Sequence, residues 1–350
     1  MASQALLTRT HRRPWSSGSL MWLTVALLLP GVLVQSALLG AATLLHVCLA
    51  ITLAVILEGM YTGRLWAPQT AWIRRLDGAA ALTGALVALA LPPATPIAIT
   101  LVAVALALGL GKYAYGGLGN NPFNPAMVGY ALVLVSFPDV LADGSVIAAV
   151  TLDALSGATP LDAAAHRSAS TWAEFETTAA VGMFGGARWE WINAGFLAGG
   201  VGLLALRICH WRVPVAVLLG VTATAFLLHD NGSSRSAGSP LFHLFSGSTM
   251  LCAWFIATDP VSQPSHPRAQ WLFGLLIGTL IVLIRGFGSW PDGTAFAVLL
   301  ANGAAPWLHI LCLRADERRS QHGDQHRSQR RGQCAENEPQ PTAPVESEPR

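Results

Sequence analysis

The chain has 350 residues, of which 53% are hydrophobic and only 11% are charged, and its formal net charge is +2. A water-soluble domain carries about 25% charged residues, so this deficit excludes an ordinary soluble protein and indicates a surface in contact with lipid. The mean hydropathy of +0.48 agrees. The small net charge, without a basic face, argues against a nucleic-acid partner.

Apolar segments recur along the chain, and each is a candidate membrane helix because about 20 apolar residues span the hydrocarbon core. The first follows three arginines but lacks a small-residue cleavage site, so we interpret it as a retained helix rather than a signal peptide. The predicted helices cover residues 20–38, 41–59, 78–91, 97–111 and 124–137 in the first half, and 191–209, 213–229, 241–258, 271–285 and 294–313 in the second.

The charge distribution supports ten helices with both termini in the cytoplasm. This arrangement places 17 of the 21 basic residues on the inner side, and four on the outer side: Arg167, Arg188, Arg235 and Arg285. Cytoplasmic segments of membrane proteins are enriched in Lys and Arg, so the bias fixes the orientation. The long acidic loop 138–190 then faces outward.

An internal repeat relates the two halves. Residues 117–126 (GLGNNPFNPA) align without gaps to residues 286–295 (GFGSWPDGTA), and each copy precedes the fifth helix of its half. Five is an odd number, so the halves run in opposite directions through the membrane, as in inverted-repeat transporters. Asn124 and Pro125 are typical of a helix start; an alternative interpretation is backbone opened near a ligand or ion path.

The predicted fold is therefore an all-α integral membrane protein of about ten transmembrane helices in two inverted five-helix repeats. Its parts are a cytoplasmic N-terminus (1–19), the first repeat (20–137), the outer loop (138–190), the second repeat (191–313) and a cytoplasmic tail (314–350). The tail is rich in Arg, Gln, Glu, Pro and Ser and is predicted to be disordered. The five cysteines form no CxxC pair, so no iron–sulfur or zinc site of the chain's own is expected.

The outer loop contains Asp153-Ala-Leu-Ser156-Gly157-Ala158-Thr159-Pro160-Leu161. From the residues alone, this is a turn of small residues that presents a hydroxyl group at its tip. A surface turn and a modification site both remain open at this point.

The same segment resembles the recognition motif of flavin transferases, which use FAD, release AMP and leave FMN joined to the final Thr by a phosphoester. The surrounding chain resembles the NqrB/RnfD family, whose members are membrane components of the Na⁺-pumping NADH:quinone reductases and of the Rnf ion-translocating oxidoreductases. The resemblance spans residues 20–313 and includes segments 116–126, 155–161, 255–260 and 291–298.

The resemblance implies a membrane flavoprotein subunit that carries FMN covalently on Thr159, within a recognition segment that contains Asp153, Ser156, Gly157 and Ala158. It also implies a urea-transporter-like fold, a place in the bacterial inner membrane, a periplasmic flavin loop, other Rnf subunits as partners and a flavin transferase for maturation. The subunit would couple electron transfer to movement of Na⁺ or H⁺. It has no NAD fingerprint and no iron–sulfur cysteines, so it requires partners.

One segment departs from the family pattern. Residues 184–190 read FGGARWE, where the family usually has a Gly-Ser-x-Gly-Glu-like stretch, so we expect an altered flavin contact there. Two alternatives stay open: a urea-transporter-like solute channel without redox activity, and a scaffold subunit with a degenerate flavin site.

Four ionisable residues near helix ends are further candidates. Glu58 is interpreted as an interfacial carboxylate or part of an ion path, and Lys112 as an inner-side anchor. Asp259 is expected to orient the following loop or line an ion site. Asp292 is expected to cap the last helix, whose N-terminus is partially positive.

Overall fold

The computed structural model describes residues 17–63, 78–92, 95–117, 119–142, 160–165, 171–176, 183, 185–186, 188–230, 233, 236–288, 290 and 292–336. Within these ranges the regular structure is entirely helical. The helices are α1 Ser17–Leu27, α2 Leu29–Leu39, α3 Ala42–Tyr61, α4 Ala79–Ala90, α5 Ile97–Gly109, α6 Pro125–Ser136, α7 Pro138–Ala142, α8 Pro160–Ala165, α9 Trp172–Glu176, α10 Trp189–Ala205, α11 Arg212–Leu228, α12 Pro240–Phe245, α13 Thr249–Leu251, α14 Pro267–Phe287 and α15 Thr294–Glu336.

Among the residues that the structure describes, five helical segments are long enough and apolar enough to cross a membrane: Gly18–Leu39, Ala42–Tyr61, Ile97–Tyr115, Pro267–Phe287 and Thr294–Arg319. Shorter apolar helices lie between them, including Ala79–Ala90, Pro125–Ser136 and Arg212–Leu228. The chain is thus a multi-pass membrane protein, and most predicted helix ends lie within four residues of the observed ones.

The predicted continuous helix 241–258 is wrong in form. Helix α12 ends at Phe245, and residues 246–248 are not helical. Helix α13 then begins at Thr249 and continues into a π-helical turn, Cys252–Ile256. The break has a local cause: Ser246, Gly247 and Ser248 are poor helix formers, and Gly247 adopts a left-handed φ of +57°. Composition identified an apolar segment of sufficient length but did not reveal the interruption.

The expected disorder of the tail is also wrong as far as Glu336, because α15 continues from the membrane segment to that residue. This extension contains Ala, Glu, Gln and Arg, which favour helix. It continues a helix that is already nucleated in the apolar segment, so it does not bear the cost of starting one. Residues 337–350 lie outside the described part.

Small residues let the helices approach closely. Helices α11 and α14 form the most extensive pair, and a Cβ on Gly278 would stand 2.2 Å from the Val217 carbonyl oxygen. Gly274 and Gly278 are spaced four residues apart, as in the small-residue packing motifs of membrane helices. Helix α4, rich in alanine, is buried on nearly every face, as expected for a uniformly apolar helix at the centre of a bundle.

Candidate functional site

The predicted flavin segment falls outside the described residues. Asp153, Ser156, Gly157, Ala158 and Thr159 all lie in the range 143–159, which the structure does not describe. The description resumes at Pro160, the first residue of α8. The described surroundings of α8 therefore define the candidate site.

Helices α8 and α9 contribute to an aromatic cluster with α12. Trp172, in α9, is completely buried, and its ring centroid lies 5.1 Å from that of Phe242 in α12 and 5.2 Å from that of Phe175. Leu161 and Ala164 of α8 belong to the same buried cluster. Phe242 of α12 thus packs against α9, and α8 belongs to the same cluster and also contacts α14.

Helix α9 has a capping box that holds Trp172 in place. The Thr171 backbone N–H donates to the Glu174 carboxylate (2.8 Å), and the Glu174 N–H donates to the Thr171 hydroxyl (3.3 Å). The Trp172 indole N–H donates to Glu176 at 2.6 Å. The Thr-x-x-Glu pattern followed by apolar residues is a readable sequence signal that the sequence analysis missed.

We call the meeting point of Ser246, Gly247, Ser248, Arg285 and Asp292 the polar junction. The Arg285 side chain is 1% exposed and that of Asp292 is 18% exposed, and Arg285 Nη2 lies 3.0 Å from Asp292 Oδ1. Arg285 Nη1 also donates to the His243 carbonyl (3.1 Å) and the Thr249 hydroxyl (3.0 Å). The junction therefore joins the end of α14 to the break between α12 and α13.

Asp292 connects the same break to the start of α15. Its carboxylate accepts from the Ser248 N–H (3.0 Å), the Ser248 hydroxyl (2.5 Å) and the Thr294 N–H (3.2 Å), and also from the Thr294 hydroxyl. The expected capping role is confirmed; the ion pair with Arg285 was not predicted. Burial acts to raise the pKa of Asp292, but Arg285 and the hydrogen bonds from Ser248 and Thr294 outweigh burial and lower that pKa to about 2.

Three hydrogen bonds from one side chain fix the backbone of the break. Asn193, 1% exposed in α10, donates to the carbonyls of Phe245 and Gly247 (both 3.0 Å) and accepts from the Met250 N–H (3.1 Å). These bonds satisfy carbonyl and amide groups that the interrupted helix leaves without helical partners. The break is therefore a supported structural feature of the fold.

The atypical segment 184–190 lies against the same junction. Gly185 is buried, its N–H donates to Glu190 Oε1 at 2.9 Å, and its carbonyl accepts from the Ser246 hydroxyl at 2.6 Å. A Cβ on Gly185 would stand 2.8 Å from the Phe245 carbonyl carbon. The departure noted in the sequence thus falls within the candidate site, although Phe184 and Ala187 lie outside the described residues.

A second polar region lies at the opposite end of the helices. Glu58 and Lys112 form an ion pair of 3.1 Å, and their side chains are only 2% and 3% exposed. Asp259 accepts from the Val261 N–H and the Ser262 hydroxyl, which confirms its role in orienting the loop. A cavity of about 420 Å³ between the two halves is lined by Lys112 and Asp259, among others.

Asn124 lies at the centre of the contact between the halves. Its side-chain oxygen accepts from the Met127 N–H (3.2 Å), which confirms the predicted helix start. Its amide nitrogen donates to the Ile256 carbonyl (3.2 Å), and its backbone N–H donates to Asn302 (3.0 Å). Helix α6 is thereby connected to the π-helical turn and to α15.

Comparison with known proteins agrees with this architecture. Residues 8–315 match the model of the NQR2, RnfD, RnfE family. The chain belongs to this family. Its relatives include proteins named as the D component of an ion-translocating oxidoreductase complex from Pseudomonas paraeruginosa (43% identical over 85% of this chain and 90% of the relative), Cellvibrio japonicus (39%, 83% and 87%) and Vibrio cholerae (38%, 84% and 92%).

Proposed function

We propose that this chain is the D-type membrane subunit of an ion-translocating oxidoreductase complex and holds FMN covalently on Thr159. One observation carries the proposal: the family match spans residues 8–315, and within it the attachment segment from Asp153 to Thr159 is intact. The relatives with this name align along nearly their whole length, which supports the same role for this chain.

The residues present suit the attachment chemistry. The Thr159 hydroxyl oxygen would form a P–O bond with the FMN phosphorus of FAD while the pyrophosphate bond to AMP breaks, and the hydroxyl proton would leave to a base. Gly157 and Ala158 leave the hydroxyl unshielded by large side chains. FMN supplies the electron transfer when bound; the protein supplies position and electrostatics.

Chain connectivity supports a position of the proposed attachment point close to the polar junction. Leu161 is buried against Gly247, and two residues of extended chain span at most about 7 Å. A flavin on Thr159 would therefore be tethered beside Arg285, Asp292 and the interrupted helix. Interrupted helices form the binding sites in inverted-repeat membrane proteins.

The helix starts support the ten-helix inverted repeat. Helices α3, α4, α5 and α6 begin at Ala42, Ala79, Ile97 and Pro125, and helices α11, α13, α14 and α15 begin 169 or 170 residues later, at Arg212, Thr249, Pro267 and Thr294. The offset equals that of the aligned Gly- and Pro-rich segments. The positive-inside bias then supports cytoplasmic termini and a periplasmic flavin loop in the bacterial inner membrane.

The complex would couple the flavin's electron transfer to movement of Na⁺ or H⁺, with other Rnf subunits as electron donors and acceptors. A flavin transferase would load the FMN. Buried ionisable groups in membrane segments are costly and mark candidate ion pathways, so the Glu58–Lys112 pair beside the cavity is a candidate for that path.

Coexpression of the full chain with a flavin transferase tests the proposal. We expect a fluorescent band on a denaturing gel and an added FMN, less one water, on the peptide that contains Thr159. Thr159→Ala should abolish both signals, whereas Thr151→Ala, which removes a hydroxyl just outside the recognition segment, is the matched control in which the label remains at Thr159. An unlabelled wild-type chain, or a label that survives Thr159→Ala, would contradict the flavin assignment and favour the solute-channel or scaffold alternative.

A further inference from the structure

Helix α8 follows Thr159 directly, so its contacts determine where the attachment segment is held. Leu161 is 6% exposed, and its Cδ1 atom lies 2.6 Å from the point where a Cβ on Gly247 would stand. Arg285 Nη2 and Asp292 Oδ2 lie 2.8 and 3.0 Å from that same point. Leu161 therefore packs at the spot where the ion pair and the interrupted helix meet.

The ion pair determines the shape of this spot. Gly247 stays in its left-handed conformation between Ser246 and Ser248, and both serines are bound to the pair: the Ser246 carbonyl lies 3.5 Å from Arg285 Nη2, and Ser248 donates twice to Asp292. A buried ion pair is stable only when further hydrogen bonds satisfy it, and loss of one partner leaves an uncompensated charge. Loss of Arg285 or Asp292 would therefore change the surface around Gly247 against which Leu161 packs.

We infer that the Arg285–Asp292 pair is a latch that positions α8, and with it the flavin on Thr159, against the second half of the protein. The part that concerns the flavin rests on the proposed function; the docking of α8 on the junction involves only described residues. Arg285 and Asp292 are positioning residues, because their contacts are with the backbone and hydroxyls of the break and with the start of α15.

A simple structural brace between α14 and α15 is the competing explanation. A brace predicts that breaking the pair lowers the stability of the whole protein without a selective effect on the loop. A latch predicts selective release of α8. The Glu58–Lys112 pair provides a comparison, because it is also a buried ion pair but lies at the opposite end of the helices.

The experiment uses the full chain, loaded by a flavin transferase and purified in detergent. Two readouts follow the loop: the rate at which trypsin cleaves after Arg167, between α8 and α9, and the quenching of the bound flavin by iodide. Arg285→Gln should raise both roughly tenfold or more, since a factor of ten corresponds to only about 1.4 kcal/mol. Lys112→Gln should leave both unchanged at temperatures where the protein stays folded.

Leu161→Ala supplies a second variant that releases α8 without changing a charge, and it should reproduce the Arg285→Gln result. The double variant Arg285→Gln/Asp292→Asn should be no more open than the more open single variant, because residues acting as one unit are not additive. If Arg285→Gln and Leu161→Ala show the same cleavage rate and the same iodide quenching as the wild type, the latch is refuted. Absence of flavin from the wild type would instead contradict the proposed function, and the trypsin readout would still test the latch.

Discussion

Replacement of Gly247 tests whether the polar junction needs its left-handed backbone conformation and its close packing. In Gly247→Ala, the left-handed φ of +57° costs an L-residue about 1–2 kcal/mol. The new Cβ would also stand 2.6 to 3.0 Å from atoms of Leu161, Arg285 and Asp292. The terminal methyl group of Leu161 can shift by rotation of its side chain, but the two charged groups are held by several hydrogen bonds. Overpacking of this kind lowers the stability of the fold by a further amount of about 1–3 kcal/mol.

Gly63→Ala separates these two contributions. Gly63 has a similar φ of +66°, but nothing lies within 4 Å of its would-be Cβ. Both variants share the backbone strain, and Gly247→Ala alone has the steric conflict. Because about 1 kcal/mol shifts a melting temperature by roughly 2–4 °C in domains of moderate size, Gly247→Ala should melt several degrees below Gly63→Ala.

The assay is the apparent Tm of the detergent-purified protein, followed by the loss of its monodisperse peak on size-exclusion chromatography after heating. The trypsin rate after Arg167 should rise in Gly247→Ala and stay at the wild-type value in Gly63→Ala. Equal melting temperatures and equal cleavage rates in the two variants would refute the claim that Gly247 lies in a tightly packed contact with the junction.

Two further predictions concern the loop and its charge. Trp172→Ala removes a fully buried ring, a change that costs about 3–5 kcal/mol; the apparent Tm should fall and trypsin cleavage should accelerate, whereas Met183→Ala, at an 80% exposed side chain, should change neither. The pKa of Asp292, lowered to about 2 from 3.8, means that its charge stabilises the fold above about pH 4, and that this contribution is lost as the pH falls from 3.8 towards 2. The difference in apparent Tm between wild type and Asp292→Asn should stay constant from pH 5 to pH 8 and shrink below about pH 4; a difference that already shrinks at pH 6 would contradict the ion pair.

Local sequence rules succeeded at several places where one segment contained the whole cause. The apolar segments gave the helices, because length and composition decide whether a helix suits a bilayer. Asn124 caps α6 and Asp292 binds the start of α15, since each signal lies within three residues of the helix it starts. The helical extension to Glu336 was missed because its polar composition was taken as a sign of disorder, although several of the same residues favour helix.

Arg285 illustrates a cause that lies between segments. It was visible as one of four basic residues that the positive-inside rule leaves on the outer side, yet nothing local showed that it is buried against Asp292 and the carbonyls of another helix. The same holds for Trp172, because its partner Phe242 belongs to another helix, far away in the sequence.

Composition thus determined that the chain is a helical membrane protein. Charge bias and the internal repeat predicted a long loop between two related halves, and the intact motif ending at Thr159 indicated the family. Only the tertiary structure decided that the predicted helix 241–258 is interrupted, that a buried ion pair holds the interruption, and that the residues just after Thr159 dock on it. The reason is physical. Hydropathy indicates whether a segment partitions into lipid or water, whereas the interruption of a helix and a buried ion pair are stabilised by hydrogen bonds from residues that are distant in the sequence.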